Sequence, residues 1–326
     1  MLILLEGPDC AGKSTFAGRL ARALRSAEPG TDVAYRHCGP PTSHALDEYV
    51  EPLLGYRPGT DQHVICDRWH VGETVYPAVT GRSTSMRSAV RAYVELFLRA
   101  RGALLVYCTA TAGHLTSCGY ARDDSINDIL RVGKTLRAFD RAVVESLLPR
   151  VHVDVTDPDA SDYDDAVNQV LALANDEEDY AAPLASFTTY VGAPRPQLLL
   201  VGDRRGPART PLTDYGCWPA FAPRAGTSGD YLLTTLTDAQ LRVPSHGLVL
   251  ADVGLTNACD VDDVHQLWKT LNQPPTVGLG ANAQRALRQA HVPHRSAVHP
   301  QYQRRFLHHQ REDYLRALVT AQAVVA

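Results

Sequence analysis

"LLEGPDCAGKST", residues 4–15, decides how the first half of the chain reads. Gly7, four intervening residues and then Gly12-Lys13-Ser14 follow a short apolar run and precede an amphipathic one. In that strand–loop–helix setting the spacing predicts a phosphate cradle. Small residues let backbone N–H groups point inward, and the helix N-terminus adds partial positive charge. Gly7, Gly12, Lys13, Ser14 and Thr15 are the expected nucleotide-binding residues, with Lys13 on the β- and γ-phosphates and Ser14 at a Mg²⁺ position. ATP and Mg²⁺ are the cofactors this implies. Asp9 is out of place in an anion cradle. Phosphates repel it, so it is expected to turn toward a neutral or hydroxyl-bearing acceptor.

The rest of the chain sets bounds on that reading. A net charge of −4 over 326 residues argues against a long nucleic-acid surface but leaves room for a local basic groove. The seven cysteines (Cys10, Cys38, Cys66, Cys108, Cys118, Cys217, Cys259) form no C-x-x-C pair. Scattered thiols of that kind suit a reducing compartment better than a disulfide framework or a zinc finger. No run approaches the roughly 18 apolar residues of a membrane span, and the first apolar stretch leads straight into the glycine loop. The expectation is a soluble cytoplasmic chain, in the host cytoplasm if viral, with no membrane partner.

Outward from the cradle, residues 1–175 alternate strand and helix patterns. These are LILLEG, a helix 13–27, VAYRHCG, HVICDRW, a helix near 86–101, GALLVYCTA, a helix 127–148, VHVDV and a helix 163–175. The alternation predicts a three-layer α/β domain on a parallel sheet. Helix 13–27 places Phe16, Leu20 and Leu24 on one face. Residues 176–196 are acidic and then dotted with proline, which reads as a linker. Beyond it, 197–326 alternates again: QLLLVGD, a helix near 227–237, GLVLADVG, a helix 262–271, TVGLG, a helix 281–290, and a closing helix 301–323. A second α/β domain follows from that pattern.

A second cluster, HVICDRWHVGETVY at 63–76, ends an apolar strand in Asp67-Arg68, at the edge of the sheet where open α/β folds bind ligands. An Asp-Arg pair alone is more often a structural ion pair; beside the cradle the functional role gains. Together, LLEGPDCAGKST, ICDRW, the Gly39-Pro40-Pro41 turn and the DRWHxGExVY segment resemble the thymidylate kinase family of P-loop nucleoside monophosphate kinases, its phage-encoded branch in particular. The resemblance covers roughly residues 1–150. It implies that Asp9 faces the sugar 3′-hydroxyl of the acceptor, that Arg68 holds the acceptor phosphate, and that Asp67 accompanies Ser14 at the metal. It also implies a lid over the ATP phosphates, placed at 117–128, with Arg122 stabilising the transferring phosphoryl group. Relatives are commonly dimers, so a homodimer is an allowed assembly.

Glu73, Tyr76 and Pro77 stand where the family commonly carries a serine and an Ala-Tyr-Gln run, which leaves the base open. The acceptor is then a deoxynucleoside monophosphate, dTMP or a modified pyrimidine. The alternative is a 5-hydroxymethyluracil within DNA, the substrate of a relative of the phage branch.

In the second half, LLLVGDRRG (198–206), GLTNA (254–258), VGLGANAQRAL (277–287) and HRSAVHPQY (294–302) each sit at or just past a strand end. Asp203, Asn257 and His299 are thus candidates to converge at one edge, with Tyr215, Trp218 and Phe221 for base stacking. Singly, each reads more simply: Trp218 and Phe221 as core, His299 as a turn histidine before proline. Taken together they resemble the uracil-DNA glycosylase superfamily over 197–323. That implies a flipped base, a polar residue positioning water, and a histidine stabilising the departing base anion. The loop GDRRG departs from the family in lacking its proline, and two cysteines here rule out a four-cysteine iron–sulfur cluster. His291, His294, His299, His308 and His309 lack the helical i, i+4 pairing of a zinc site. Arg304, Arg305 and Arg311 are either phosphate contacts or a solvated face. The C-terminal half is accordingly a glycosylase-like domain or a silent base-binding module.

Overall fold

Leu2–Glu6 (β1) is buried at every position, as a strand covered on both faces must be. In the computed structural model, which describes residues 1–121, 129–154, 156, 162–187, 190–202, 221–225, 227–238, 248–252 and 261–319, it is the middle strand of a five-stranded sheet. The elements that follow are α1 (Lys13–Ala27), β2 (Asp32–His37), α2 (Ala45–Tyr49), β3 (Gln62–Asp67), α3 (His70–Thr80) and α4 (Ser88–Arg99). After them come β4 (Ala103–Thr109), α5 (Ala112–Ala121), α6 (Ile129–Val144), β5 (Arg150–Asp154) and α7 (Asp162–Ala181). The strands run parallel in the order β2-β3-β1-β4-β5. The order reverses direction between β3 and β4, which opens a crevice at the carboxyl end of β1. Register then places Leu5 beside Asp67, so the cradle and the Asp-Arg pair meet there. Phe16, Leu20 and Leu24 of α1 are buried on the sheet, as their spacing predicts, with Phe16 edge-on to Tyr163 at 5.4 Å.

The chain forms two compact units, 1–86 with 101–182 and 87–100 with 183–326. The second therefore takes α4 from the middle of the first half. α4 packs on α8 (Ser228–Asp238) and on β6 (Val191–Gly192), where Arg87 and Asp230 pair at 2.9 Å. The remaining elements of this unit are β7 (Leu198–Gly202), β8 (Leu248–Asp252), α9 (Val261–Thr270), β9 (Thr276–Leu279), α10 (Ala281–Gln289), β10 (Arg295–Ala297), α11 (Pro300–Phe306) and α12 (Arg311–Val319). Its sheet has the order β10-β9-β7-β8-β6, parallel except for β6, which is antiparallel to β8. Tyr190, Leu199, Val201, Leu267 and Leu287 lie in its core.

Two expectations are corrected. Residues 176–196 are not a plain linker: α7 runs on to Ala181, a 3₁₀ turn follows at Ala182–Leu184, and β6 joins a sheet. Part of the acidity there is structural. Glu178 accepts from the N-terminal ammonium at 2.9 Å, from the Gly59 N–H at 3.0 Å and from the Tyr56 hydroxyl at 3.3 Å. The closing helix is also broken, between Phe306 and Arg311. There the buried Gln303 side chain donates to the Leu307 carbonyl at 2.7 Å and the Gln310 carbonyl at 3.3 Å, substituting for the next helical turn. Among the described residues no helix is long and apolar enough to cross a membrane, and the described cysteines are free thiols.

Candidate active site

The cradle is built by backbone conformations that few side chains tolerate. Gly7 has φ 143°, and a Cβ there would lie 2.0 Å from the Cys108 carbonyl oxygen. Cys10 at φ 65° and Gly12 at φ 64° complete the turn into α1. Gly7→Ala is therefore expected to destabilise the protein by about 3 kcal/mol or more, from left-handed strain plus a backbone clash. A lowered urea midpoint with an unchanged slope is the check.

Lys13 opens α1 but folds back over the loop. Its ammonium donates to the carbonyls of Gly7 at 2.9 Å and Pro8 at 2.6 Å, and only 5% of the residue is exposed. Burial lowers its pKa below that of a free lysine, and the nearby charge of Asp9 opposes the shift. Thr15 is exposed at the start of the same helix.

Asp67 ends β3, fully buried, and gathers three side chains on one oxygen. Ser14 and Tyr35 hydroxyls each donate to Oδ2 at 2.6 Å, and His37 Nδ1 lies 3.3 Å away. Burial alone would raise the carboxyl pKa. The hydrogen bonds from Ser14 and Tyr35, then the Lys13 charge and His37, outweigh it and hold the group below its ordinary value. Its other oxygen, Oδ1, is buried without a hydrogen-bond partner. A carboxylate oxygen left unpaired beside a serine hydroxyl suits Mg²⁺, which takes hard oxygen ligands and fills its shell with water and phosphate oxygens. Asp67 and Ser14 are the residues that would hold the metal.

Arg68 follows at φ 63°, a left-handed conformation unusual for a branched-chain-free but bulky residue, fixed by its N–H donating to Leu5 at 3.0 Å. This turn sends its guanidinium to Asp9, 2.7 Å away. The cradle residues Asp9, Lys13 and Ser14 and the strand-end pair Asp67-Arg68, two clusters in the sequence, stand together here. Beside the Asp9–Arg68 pair lies a cleft of about 290 Å³, walled by Tyr49, Trp69, Tyr76, Glu73, Arg82 and the Gly39-Pro40 turn. Arg82 grips the buried Glu73 in a fork, at 3.2 and 2.5 Å, and the Thr84 hydroxyl donates to Glu73 at 2.5 Å.

One supporting residue has no counterpart in the sequence reading. Glu6, at the end of β1 and 1% exposed, accepts from the backbone N–H groups of Trp69 (3.0 Å), Val71 (2.8 Å) and Gly72 (3.3 Å). It caps the first turn of α3 and so fixes the Arg68–Trp69 corner against the cradle. Burial raises its pKa, against the charges of His70 and Lys13 and the N–H groups it binds. Its signal in the sequence is a lone acid closing an otherwise apolar strand.

Arg122, Asp203, Trp218 and Asn257 lie outside the described residues. Phe221 is buried at φ 53°, its carbonyl oxygen so close to Gly229 that a Cβ there would sit 2.1 Å from it. His299 caps α11, its Nδ1 accepting from the Gln301 N–H at 3.2 Å ahead of Pro300. Both geometries correspond to the simpler core and turn roles weighed for these two residues.

No protein-family model matches the chain, and no curated protein matches it. Among solved structures, the YorR protein of Bacillus subtilis, determined with phosphorylated GDP, aligns over 55% of this chain and 98% of its own, at 21% identity and a TM-score of 0.41. A putative polyphosphate kinase 2 from Pseudomonas aeruginosa PA01 aligns over 99% of this chain and 90% of its own, at 11% identity and a TM-score of 0.40. Likenesses this distant carry no functional weight. What the chain itself provides is a mixed α/β fold on a parallel sheet, with a glycine-built cradle at its switch point.

Proposed function

We propose that the first unit is an ATP- and Mg²⁺-dependent phosphotransferase whose acceptor is a deoxynucleoside monophosphate, dTMP or a modified pyrimidine dNMP. The observation that carries this is the Asp9–Arg68 pair, set between the cradle and an aromatic-walled cleft. Arg68 offers a planar fork matched to an acceptor phosphate, and Asp9 an acceptor for a sugar hydroxyl. Without substrate the two form an ion pair. Tyr49, Trp69 and Tyr76 supply flat apolar walls for a base. Arg82, held in place by Glu73, directs donors at a carbonyl edge.

Phosphoryl transfer asks for positioning and charge neutralisation more than for covalent chemistry. Lys13 exchanges the Gly7 and Pro8 carbonyls for phosphate oxygens. Asp67 and Ser14 would hold Mg²⁺, which would supply charge neutralisation for the phosphates. Arg122 belongs to this proposal as the lid cation. The second unit is proposed as a base-binding domain of glycosylase-like fold, on its parallel β8-β7-β9-β10 core, with Asp203, Asn257 and His299 belonging to the proposal as its pocket residues.

A second reading places the acceptor hydroxyl on a 5-hydroxymethyluracil within DNA. The exposure of Asp9 and Arg68 favours it, since 29% and 40% of their side chains remain open to solvent, enough for an acceptor attached to a polymer. ADP release in a coupled assay tests both, with each dNMP, 5-hydroxymethyl-dUMP and hydroxymethyluracil duplexes as acceptors. Stimulation by a free monophosphate that tolerates salt supports the first reading; stimulation by duplex alone, falling steeply with salt, supports the second. Stimulation by neither removes the proposal. Glu73→Gln is expected to raise KM for the acceptor about 10-fold while kcat changes less than about 3-fold, because Glu73 fixes a wall of the cleft and not the reacting groups. Steady-state kinetics over acceptor concentration is the check.

A further inference from the structure

Residues 264–311 contain no aspartate or glutamate and seven lysines or arginines, in a chain whose net charge is −4. Everything outside that stretch therefore carries −11 together, so the chain's positive charge is concentrated here, which favours an anionic partner at this stretch. The charges are at the surface. Arg285 and Arg288 on α10, Arg295 on β10, and Arg304 and Arg305 on α11 are all exposed. β10 is an edge strand of the second sheet, and the stretch 264–311 that carries these cations contributes no acid of its own. The next acids, Glu312 and Asp313, open α12, and Asp313 is paired with Arg316 at 3.5 Å.

The segment that follows β10, into α11 at Pro300, carries exposed rings. Among the described residues six large hydrophobic side chains are exposed, and three of them, Val298, Tyr302 and Phe306, lie within nine positions. Tyr302 and Phe306 keep 52% and 62% of their surface, one helical turn apart on α11, with ring centres 4.9 Å apart. Arg304 and Arg305 lie between them in sequence, while Pro300 and Gln303 anchor the buried side of the helix. Flat rings next to guanidinium groups, with no acid nearby in sequence, match unstacked bases joined by phosphates. A duplex offers the phosphates but keeps its base faces covered.

We propose that this edge of the second unit, centred on α11, binds single-stranded nucleic acid, with Tyr302 and Phe306 stacking on bases and the arginines of 285–305 contacting the backbone. This surface is independent of the phosphotransfer cleft and goes beyond the activity proposed for it.

The test is fluorescence anisotropy of the full chain with a labelled oligothymidylate of about 20 nucleotides, over a series of KCl concentrations. Salt-dependent binding is expected. Arg304→Ser with Arg305→Ser should weaken it at least about 10-fold and flatten the slope of log K against log salt by about 1.4, the share of two single-strand phosphates. Tyr302→Ser with Phe306→Ser should weaken it by about 10-fold or more and leave the slope unchanged, since stacking releases no counterions. All four side chains are exposed, and melting curves of both variants verify that the fold is kept. No binding overturns the proposal, as does affinity that neither double variant alters. Tighter binding to the matching duplex, or equal competition by polyglutamate, also overturns it, because a bare cationic patch would then suffice.

Discussion

Lys13→Ala is expected to lower kcat by about 10³-fold, the largest loss in the molecule, with a far smaller change in the acceptor KM. Lys13 is the buried cation at the centre of the cradle, and the carbonyls that hold it, Gly7 and Pro8, belong to the same loop. Those two bonds keep the ammonium folded over the loop, where the proposed phosphates would lie. Alanine leaves both carbonyls without that donor, at a cost of about 1–2 kcal/mol in stability. The fold should survive that loss. Rapid-quench or steady-state rates, read beside a melting curve, separate the two effects. A variant that folds and retains more than a tenth of the rate would mean that Lys13 only shapes the loop.

Asp67→Asn is the second large effect, expected at about 10²–10³-fold in kcat, together with a rise of about 10-fold or more in the Mg²⁺ concentration for half-maximal rate. The amide keeps an oxygen for the Ser14 and Tyr35 hydroxyls but loses the charge with which Oδ1 would hold the proposed metal. The melting temperature should therefore move by only a few degrees. The split between the two readouts matters: a purely structural aspartate would lower stability and leave the Mg²⁺ titration where it was. Acidification works in the same direction. The pKa of Asp67 is depressed in the folded chain, so its contribution to stability is present above the unfolded carboxyl pKa and is lost as pH falls through the lower, folded value.

The local parts of this site are legible in the sequence. A phosphate cradle depends on Gly7, Gly12 and Lys13 at fixed spacing, because the constraint is backbone conformation over eight residues. Asp67-Arg68 is legible because an apolar strand ends on it. Helix α3 is not, since Gly72 and Pro77 argue against a helix and the cap that starts it, Glu6, is supplied from β1. The acidic run at the end of α7 reads as linker chemistry for the same reason, because the partners of Glu178 are Met1, Tyr56 and Gly59. α4 is readable as a helix, but its membership of the second unit is decided by packing against α8 and β6, which no periodicity encodes. The break after α11 turns on one side chain, Gln303, bonding carbonyls of the following turn.

Whether phosphate passes to an acceptor in the Asp9–Arg68 cleft is decided by the fate of the γ-phosphate. The protein is incubated with γ-labelled ATP, Mg²⁺ and dTMP or 5-hydroxymethyl-dUMP, in parallel with hydroxymethyluracil DNA, and the products are separated. Label should appear on an acceptor in equal amount to the ADP formed, and vanish with Lys13→Ala. Label found only in inorganic phosphate, at a rate that no acceptor changes, would mean that the cleft receives no phosphoryl acceptor.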